Sequence, residues 1–291
     1  MIIVKIIGGL GNQLFQYALG RSIQINNKCL VKYDVSDFPN YKNRQFLLDK
    51  LNVQLEIASS EDLSLFTPSK LTVLIQKYLR INKRGLSNNV YQETERRYDP
   101  KVLAFSKNIY LAGHWTTEKY FKNIRDELIN ELKPVEKLNS DNLCVLEDIY
   151  KNNSISIHVR RGDYVSNPAA EKRFALCGID YYTNAIELMN KKITNPKYFL
   201  FSDDVNWVKN NFPNNENFKV VDVNNSMHAC SDLYLMSQCD HNITANSTFS
   251  WWGAWLNDNE KKIVVVPKRW YKNKKNQQYT KDIIPIEWIQ F

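Results

Sequence analysis

Met1-Ile2-Ile3-Val4-Lys5-Ile6-Ile7-Gly8-Gly9-Leu10-Gly11-Asn12-Gln13-Leu14-Phe15-Gln16-Tyr17-Ala18-Leu19-Gly20 opens the chain. The apolar run 2–7 does not alternate, so it reads as a strand buried on both faces, as in a parallel sheet. Gly8, Gly9 and Gly11 break it with a turn. From 12 to 26 apolar residues recur at helical spacing, with Asn12 placed as an N-cap. Residues 28–33 read as a second strand. Strand, glycine loop, helix and strand together make one β-α-β unit.

The second half repeats this alternation. Strands are expected at 154–159, 198–202, 218–223, 242–245 and 263–266. Helices are expected at 181–191, 205–212, 230–238 and 248–256. Such a series predicts a doubly wound parallel sheet. Between the halves, helices are expected at 60–79 and 117–132, with a short strand at 109–111. Pro134 follows the second of these helices and suggests a domain edge. The chain therefore reads as two α/β domains, 1–140 and 141–291, each forming one wall of a cleft.

Bulk properties narrow the chemistry. Across 291 residues, 43% are hydrophobic and 24% charged, which suits a folded chain with a sizeable core. The formal net charge of +8 favours an anionic partner. The cations are spread along the chain with a modest excess at 268–275, and no basic arm or zinc-finger spacing occurs, so nucleic acid is disfavoured. Five cysteines with no Cys-x-x-Cys fit a reducing compartment. The apolar start is too short for a signal or membrane span, and no stretch of about 18 apolar residues follows. A cytoplasmic protein is expected.

Four motifs sit where such folds bind ligands, beyond the carboxyl ends of strands. Gly8-Gly9-Leu10-Gly11-Asn12-Gln13 departs from both the dinucleotide fingerprint and the Walker loop. It is either a tight turn or a seat where backbone N–H groups approach an anion. His158-Val159-Arg160-Arg161-Gly162-Asp163-Tyr164 places two arginines at a strand end. Guanidinium groups there can fork onto a diphosphate, with Asp163 holding one of them in place, or form a surface ion-pair cluster. Phe201-Ser202-Asp203-Asp204 could bind a metal, a base or a ribose, or simply cap the helix at 205–212. Asn246-Ser247-Thr248-Phe249 opens the helix at 248–256 and offers another phosphate seat. The tryptophans that follow are core residues at helical spacing. No Asp-x-Asp occurs, which leans toward a metal-independent reaction.

These same stretches carry a resemblance. GGLGNQLFQYALG, GHWTTEKYF at 113–121, HVRRGDYV at 158–165, FSDD at 201–204 and NSTFSWWGAWL at 246–256 resemble the α-1,2-fucosyltransferases of glycosyltransferase family eleven, in the family's order. The resemblance, closest to the family's bacterial branch, implies a GT-B-type fold of two Rossmann-like domains with an interdomain cleft. It also implies GDP-fucose as donor, a galactose-terminated glycan as acceptor, inversion at the anomeric carbon and no cofactor or metal. It assigns Arg160 to the β-phosphate of the departing GDP and Arg161 to the donor. Asn12 would lie near the sugar and the reacting oxygen, making Arg160 and Asn12 the catalytic pair. Ser247, Thr248 and Phe249 would cradle the diphosphate, and Gly9, Gly11, His158, Asp163, Ser202, Asp203 and Asn246 complete the expected donor site, in which His158 and Asp203 would contact the nucleoside or support the loop.

On this reading, arginine and N–H donors stabilise charge growing on the diphosphate. Asp37, Glu118 and Asp163 are conceivable bases for the acceptor hydroxyl, and spacing does not choose among them. Two rivals remain open at this stage: a non-catalytic nucleotide-sugar-binding protein, and a phosphoryl- or sulfuryl-transfer enzyme, the former of these two chemistries disfavoured by the absent Walker lysine. The basic surface also suggests loose contact with an anionic membrane face.

Overall fold

The computed structural model describes residues 1–41, 44–66 and 89–291. By contacts the chain forms two units, residues 1–49 with 53–128, and residues 50–52 with 129–291. Lys50–Asn52 belongs to the second unit because Leu51 bridges Pro134, with Asn52 N–H donating to Lys133 at 2.9 Å and Val135 N–H to Lys50 at 3.0 Å.

In the first unit, β1 (Ile2–Lys5), β2 (Val31–Asp34), β3 (Val90–Gln92) and β4 (Ile109–Ala112) form a parallel sheet in the order β2-β1-β4-β3. Ile2, Ile3 and Val4 are fully buried, as the unbroken apolar run requires. The helix Leu10–Asn27 returns the chain from β1 to β2.

Asn12 is not the N-cap of that helix. Gly8, at φ +83°, turns the chain early, and Gly9 takes the cap position, its carbonyl accepting from Asn12 and Gln13 N–H at 2.9 and 3.1 Å. The expected helix at 117–132 is broken into turns at Glu118–Tyr120 and Lys122–Ile124 before the helix Arg125–Glu131. Phe121 interrupts it at φ −145°, ψ 5°, with its ring buried 5.8 Å from Phe15. Of the expected helix at 60–79, Ser60–Ser64 is helical, opened by a Ser59–Asp62 capping box. The segment 67–79 lies outside the described residues.

The second unit holds β5 (Asn153–Val159), β6 (Pro196–Ser202), β7 (Phe218–Val221), β8 (His241–Ile243), β9 (Val264–Val266) and β10 (Ile289–Gln290). They pair in parallel in the order β10-β9-β8-β5-β6-β7. Ile155, Ile157, Val159, Leu200 and Val265 pack with Tyr182, Ala185 and Met189 of the helix Ile179–Lys192. Burying each aliphatic side chain contributes about 1.5–3 kcal/mol. Trp251, Trp252 and Trp255 are also core, and Trp251 Nε1 donates to Ile283 at 2.8 Å.

The sheet orders decide where ligands can enter. From β5 the chain winds outward to β6 and β7, then returns to β8 on the opposite side. The crevice between the carboxyl ends of β5 and β8 is therefore the switch point of the second sheet, where doubly wound folds bind ligands. In the first sheet the equivalent point lies between β1 and β4.

Candidate active site

Arg160 and Arg161 follow β5 directly. The Arg160 guanidinium contacts Asp163 Oδ1 at 2.6 Å and Asp203 Oδ2 at 2.9 Å, and lies 5.6 Å over the Tyr164 ring. Its side chain is 22% exposed, so a ligand at the strand end can still reach it. Burial pulls its pKa down, but Asp203 and Asp163 more than offset this and hold the guanidinium charged.

Arg161 is held differently. Its N–H donates to Asp203 Oδ1 at 2.8 Å, its Nε to Asp204 Oδ2 at 3.1 Å, and its guanidinium lies 4.4 Å over the Trp207 ring. Asp203 thus braces both arginines. Asp204 also caps the helix Val205–Asn211, accepting from Trp207 N–H at 3.0 Å. Ser202 donates to Val159 carbonyl at 3.0 Å and accepts from Asp204 N–H at 2.9 Å. Phe201-Ser202-Asp203-Asp204 is therefore the bracket of the arginine loop.

Beyond β8, Ser247 takes the N-cap position of the helix Thr248–Trp255 without using its hydroxyl as a cap. A first helical turn leaves its N–H groups without intrahelical acceptors, and the dipole favours an anion there. Ser250 Oγ accepts from Ala245 N–H at 2.7 Å and fixes the turn. Phe249 sits 5.3 Å from His158 at the end of β5, so the two loops meet at the switch point. The Asn246 side chain, by contrast, is committed to the fold. Its Nδ2 donates to the Ala175 and Trp270 carbonyls, and its Oδ1 accepts from Cys177.

His158 is buried, and its Nδ1 has no partner among the described residues. Burial, then the Arg160 charge, lowers its pKa to about 3, so the imidazole is neutral. Stability from this neutral ring is complete above the unfolded value near 6.5 and is lost as pH falls. Asp232 acts in the opposite sense. Burial raises its pKa to about 6, partly countered by the Asn224 hydrogen bond, so its contribution is lost as pH rises. Between about pH 4 and 6 the unfolded chain protonates His158 and the folded chain protonates Asp232, and the two slopes cancel. Asp232→Asn should therefore make unfolding stability rise more steeply with pH than in the wild type, by about 1.4 kcal/mol per unit. Urea unfolding at several pH values in this window measures it; parallel slopes would rule it out.

Gly9, Gly11 and Asn12 belong to the first unit, whereas the other expected site residues belong to the second. The Asn12 side chain fills the space above Gly8, where an added Cβ would lie 2.7 Å from Asn12 Nδ2. Gln13 Nε2 donates to the carbonyls of Gly8 at 3.0 Å and Gln45 at 2.7 Å. Gln16 accepts from Ile7 N–H and donates to Gly113 carbonyl, both at 2.9 Å. Sequence reading missed these two buried amides, although polar residues three apart on an apolar helix face were the available signal.

The model of glycosyl transferase family 11 matches residues 1–291. The chain belongs to that family. This family 11 chain is 31% identical over 296 residues to an alpha-1,2-colitosyltransferase of Escherichia coli, covering 100% of this chain and 98% of that protein. It is 34% identical over 307 residues to the O-antigen biosynthesis glycosyltransferase WbnK of Escherichia coli, covering 97% of each. A galactoside 2-alpha-L-fucosyltransferase, SEC1 of Bos taurus, is 24% identical over 175 residues, 58% of this chain and 46% of that protein. As a family 11 member the chain is a glycosyltransferase, and no helix among its described residues is long and apolar enough to cross a membrane.

Proposed function

We propose that this glycosyltransferase moves L-fucose from GDP-β-L-fucose to the 2-hydroxyl of a terminal galactose, with inversion. One observation carries the reading: at the switch point of the second sheet, the Arg160–Arg161 loop and the open N-terminus of the helix Thr248–Trp255 converge. Cations and N–H donors gathered there suit a nucleoside diphosphate. As the bond from the sugar to the β-phosphate breaks, Arg160 and the helix N–H groups take up the charge left on GDP, and no metal is required. Asn12 is the residue we assign to the sugar. The likeness to the Bos taurus protein supports the sugar and the linkage.

Incubation with GDP-fucose and a panel of galactosides, followed by linkage analysis, tests this. An α-1,2-fucosylated galactoside is expected. The colitosyltransferase likeness supports a second donor reading, so nucleotide-activated colitose belongs in the panel. Product from that sugar alone would replace fucose with colitose.

We also propose that the protein works in the cytoplasm and touches an anionic membrane face through its second unit. Exposed Lys172 and Arg173 lie beside the 268–275 stretch because Phe174 bridges Tyr271 and Lys272 N–H donates to Arg173 at 3.0 Å. Each cation near an anionic surface contributes about 1 kcal/mol, screened within a Debye length. Sedimentation with phosphatidylglycerol vesicles is expected at low salt, and the triple variant Lys268→Glu, Arg269→Glu, Lys272→Glu should abolish it. Absence of wild-type binding at low salt would remove the proposal.

A further inference from the structure

The switch point of the first sheet also holds a cavity, of about 410 Å³. Lys5 and Ile7 line it from the end of β1, Gly113 and His114 from the end of β4, and Glu93 from the end of β3. Its volume is within the range of small-molecule sites. Paired charges on its walls, such as Lys5 and Asp37 at 2.8 Å, suit a polyhydroxylated ligand that both donates and accepts hydrogen bonds.

Glu93 is the carboxylate built most firmly into this wall. Its Oε2 accepts from His114 N–H at 2.6 Å and its Oε1 from Trp115 N–H at 3.2 Å. Each oxygen keeps a further lone pair for another donor. The turn it holds is costly. Trp115 sits at φ +56°, a left-handed conformation that costs a bulky residue about 1–3 kcal/mol and that concentrates at functional sites. Gly113 is required, because an added Cβ would lie 2.5 Å from Glu93 Cβ. Gln16 ties this turn to Ile7 and so to the glycine loop that carries Asn12.

The other candidate bases already hold cations. Asp163 is 2.6 Å from Arg160, Asp37 is 2.8 Å from Lys5, and Glu118 is 3.1 Å from Lys122. Glu93 instead holds backbone N–H groups.

We propose that Glu93 takes the proton of the acceptor hydroxyl, an inference that rests on the transfer reaction proposed above. The acceptor oxygen bonds to the anomeric carbon as the carbon–oxygen bond to the β-phosphate breaks and its electron pair leaves with GDP. The hydroxyl proton passes to Glu93 and from there to water. Burial raises the pKa of Glu93 above the ordinary carboxyl value, with the His114 N–H, Arg96 and the Trp115 N–H opposing, which moves it toward the range of a base working near neutrality. The titratable and charged groups around it are Lys5, Asp37, Tyr41, Arg96 and His114 on the cavity wall, and Tyr91, Asp99 and Tyr120 behind.

The test uses the full chain. Glu93→Gln should lower kcat for transfer by about 10²–10⁴-fold, leave donor KM within about two-fold, and remove the acidic limb of the kcat/KM pH profile. Glu93→Ala, with room for a small carboxylate, should regain activity in formate. Three results would overturn the proposal: near wild-type transfer by Glu93→Gln, an unchanged acidic limb in that variant, or activity of Glu93→Ala that formate leaves unmoved while the variant remains folded. An inactive wild type with every donor would instead overturn the transfer reading itself, before any variant is made.

Discussion

Arg160→Lys is expected to lower sugar transfer by about 10²–10³-fold, the cost of removing one donor aimed at developing charge, and Arg160→Ala to abolish it. The guanidinium spreads three contacts over a plane: Asp163, Asp203 and the Tyr164 ring. A lysine ammonium can meet one of these carboxylates but cannot span both and present an edge to a diphosphate as well. In Arg160→Ala the two carboxylates also lose their shared cation. The loss should fall mainly on kcat, because the departing diphosphate carries more charge in the transition state than in the bound donor. GDP affinity should weaken less, since the helix N-terminus at Thr248 and Arg161 remain. Steady-state kinetics with GDP titration separates the two effects. Wild-type activity in Arg160→Lys would remove the arginine from the mechanism and with it the assigned donor site.

The elements legible in the sequence are those whose pattern is local. Ile155, Ile157 and Val159 sit in an unbroken apolar run, and β5 forms within one residue of its expected start. The helices around Tyr182, Leu233 and Trp252 likewise appear where periodicity places them. What failed depended on partners far along the chain. The break at Phe121 answers to packing against Phe15, and β3 is too short to show alternation before it pairs with β4. The same division holds at the site. Arg160 and Arg161 stand out as cations at a strand end, but their bracing by Asp203 and Asp204 joins residues more than 40 apart. Asp204 as helix cap was readable from its position; Asp203 as support of the loop came only with the resemblance, as one of two roles, because its partners lie on another strand end. Glu93 gave no signal, because its two N–H partners lie on another strand end.

Gly162→Ala should lower transfer about 10²-fold in a chain that still folds, because of one carboxylate. A Cβ at Gly162 would lie 2.2 Å from Asp203 Oδ2 and 2.9 Å from its Cγ. That carboxylate is not a loose chain end, for it holds Arg160 Nη1 at 2.9 Å and Arg161 N–H at 2.8 Å. The methyl group must displace it, and both arginines lose their common brace. Overpacking of this kind costs about 1–3 kcal/mol, whereas displacement of a catalytic group by about 1 Å can cost 10²-fold in rate. Gly178→Ala is the matched control: an added Cβ meets nothing within 4 Å, so transfer should persist with a small loss of N-cap stability. A double-mutant cycle isolates the cause. If the clash acts through Asp203, adding Gly162→Ala to Asp203→Ala should lower kcat no further, since the methyl then occupies space the carboxylate has left. Losses that simply multiply would show that the methyl group harms transfer by another route, and Asp203 would then lose its place as the brace of the arginine loop.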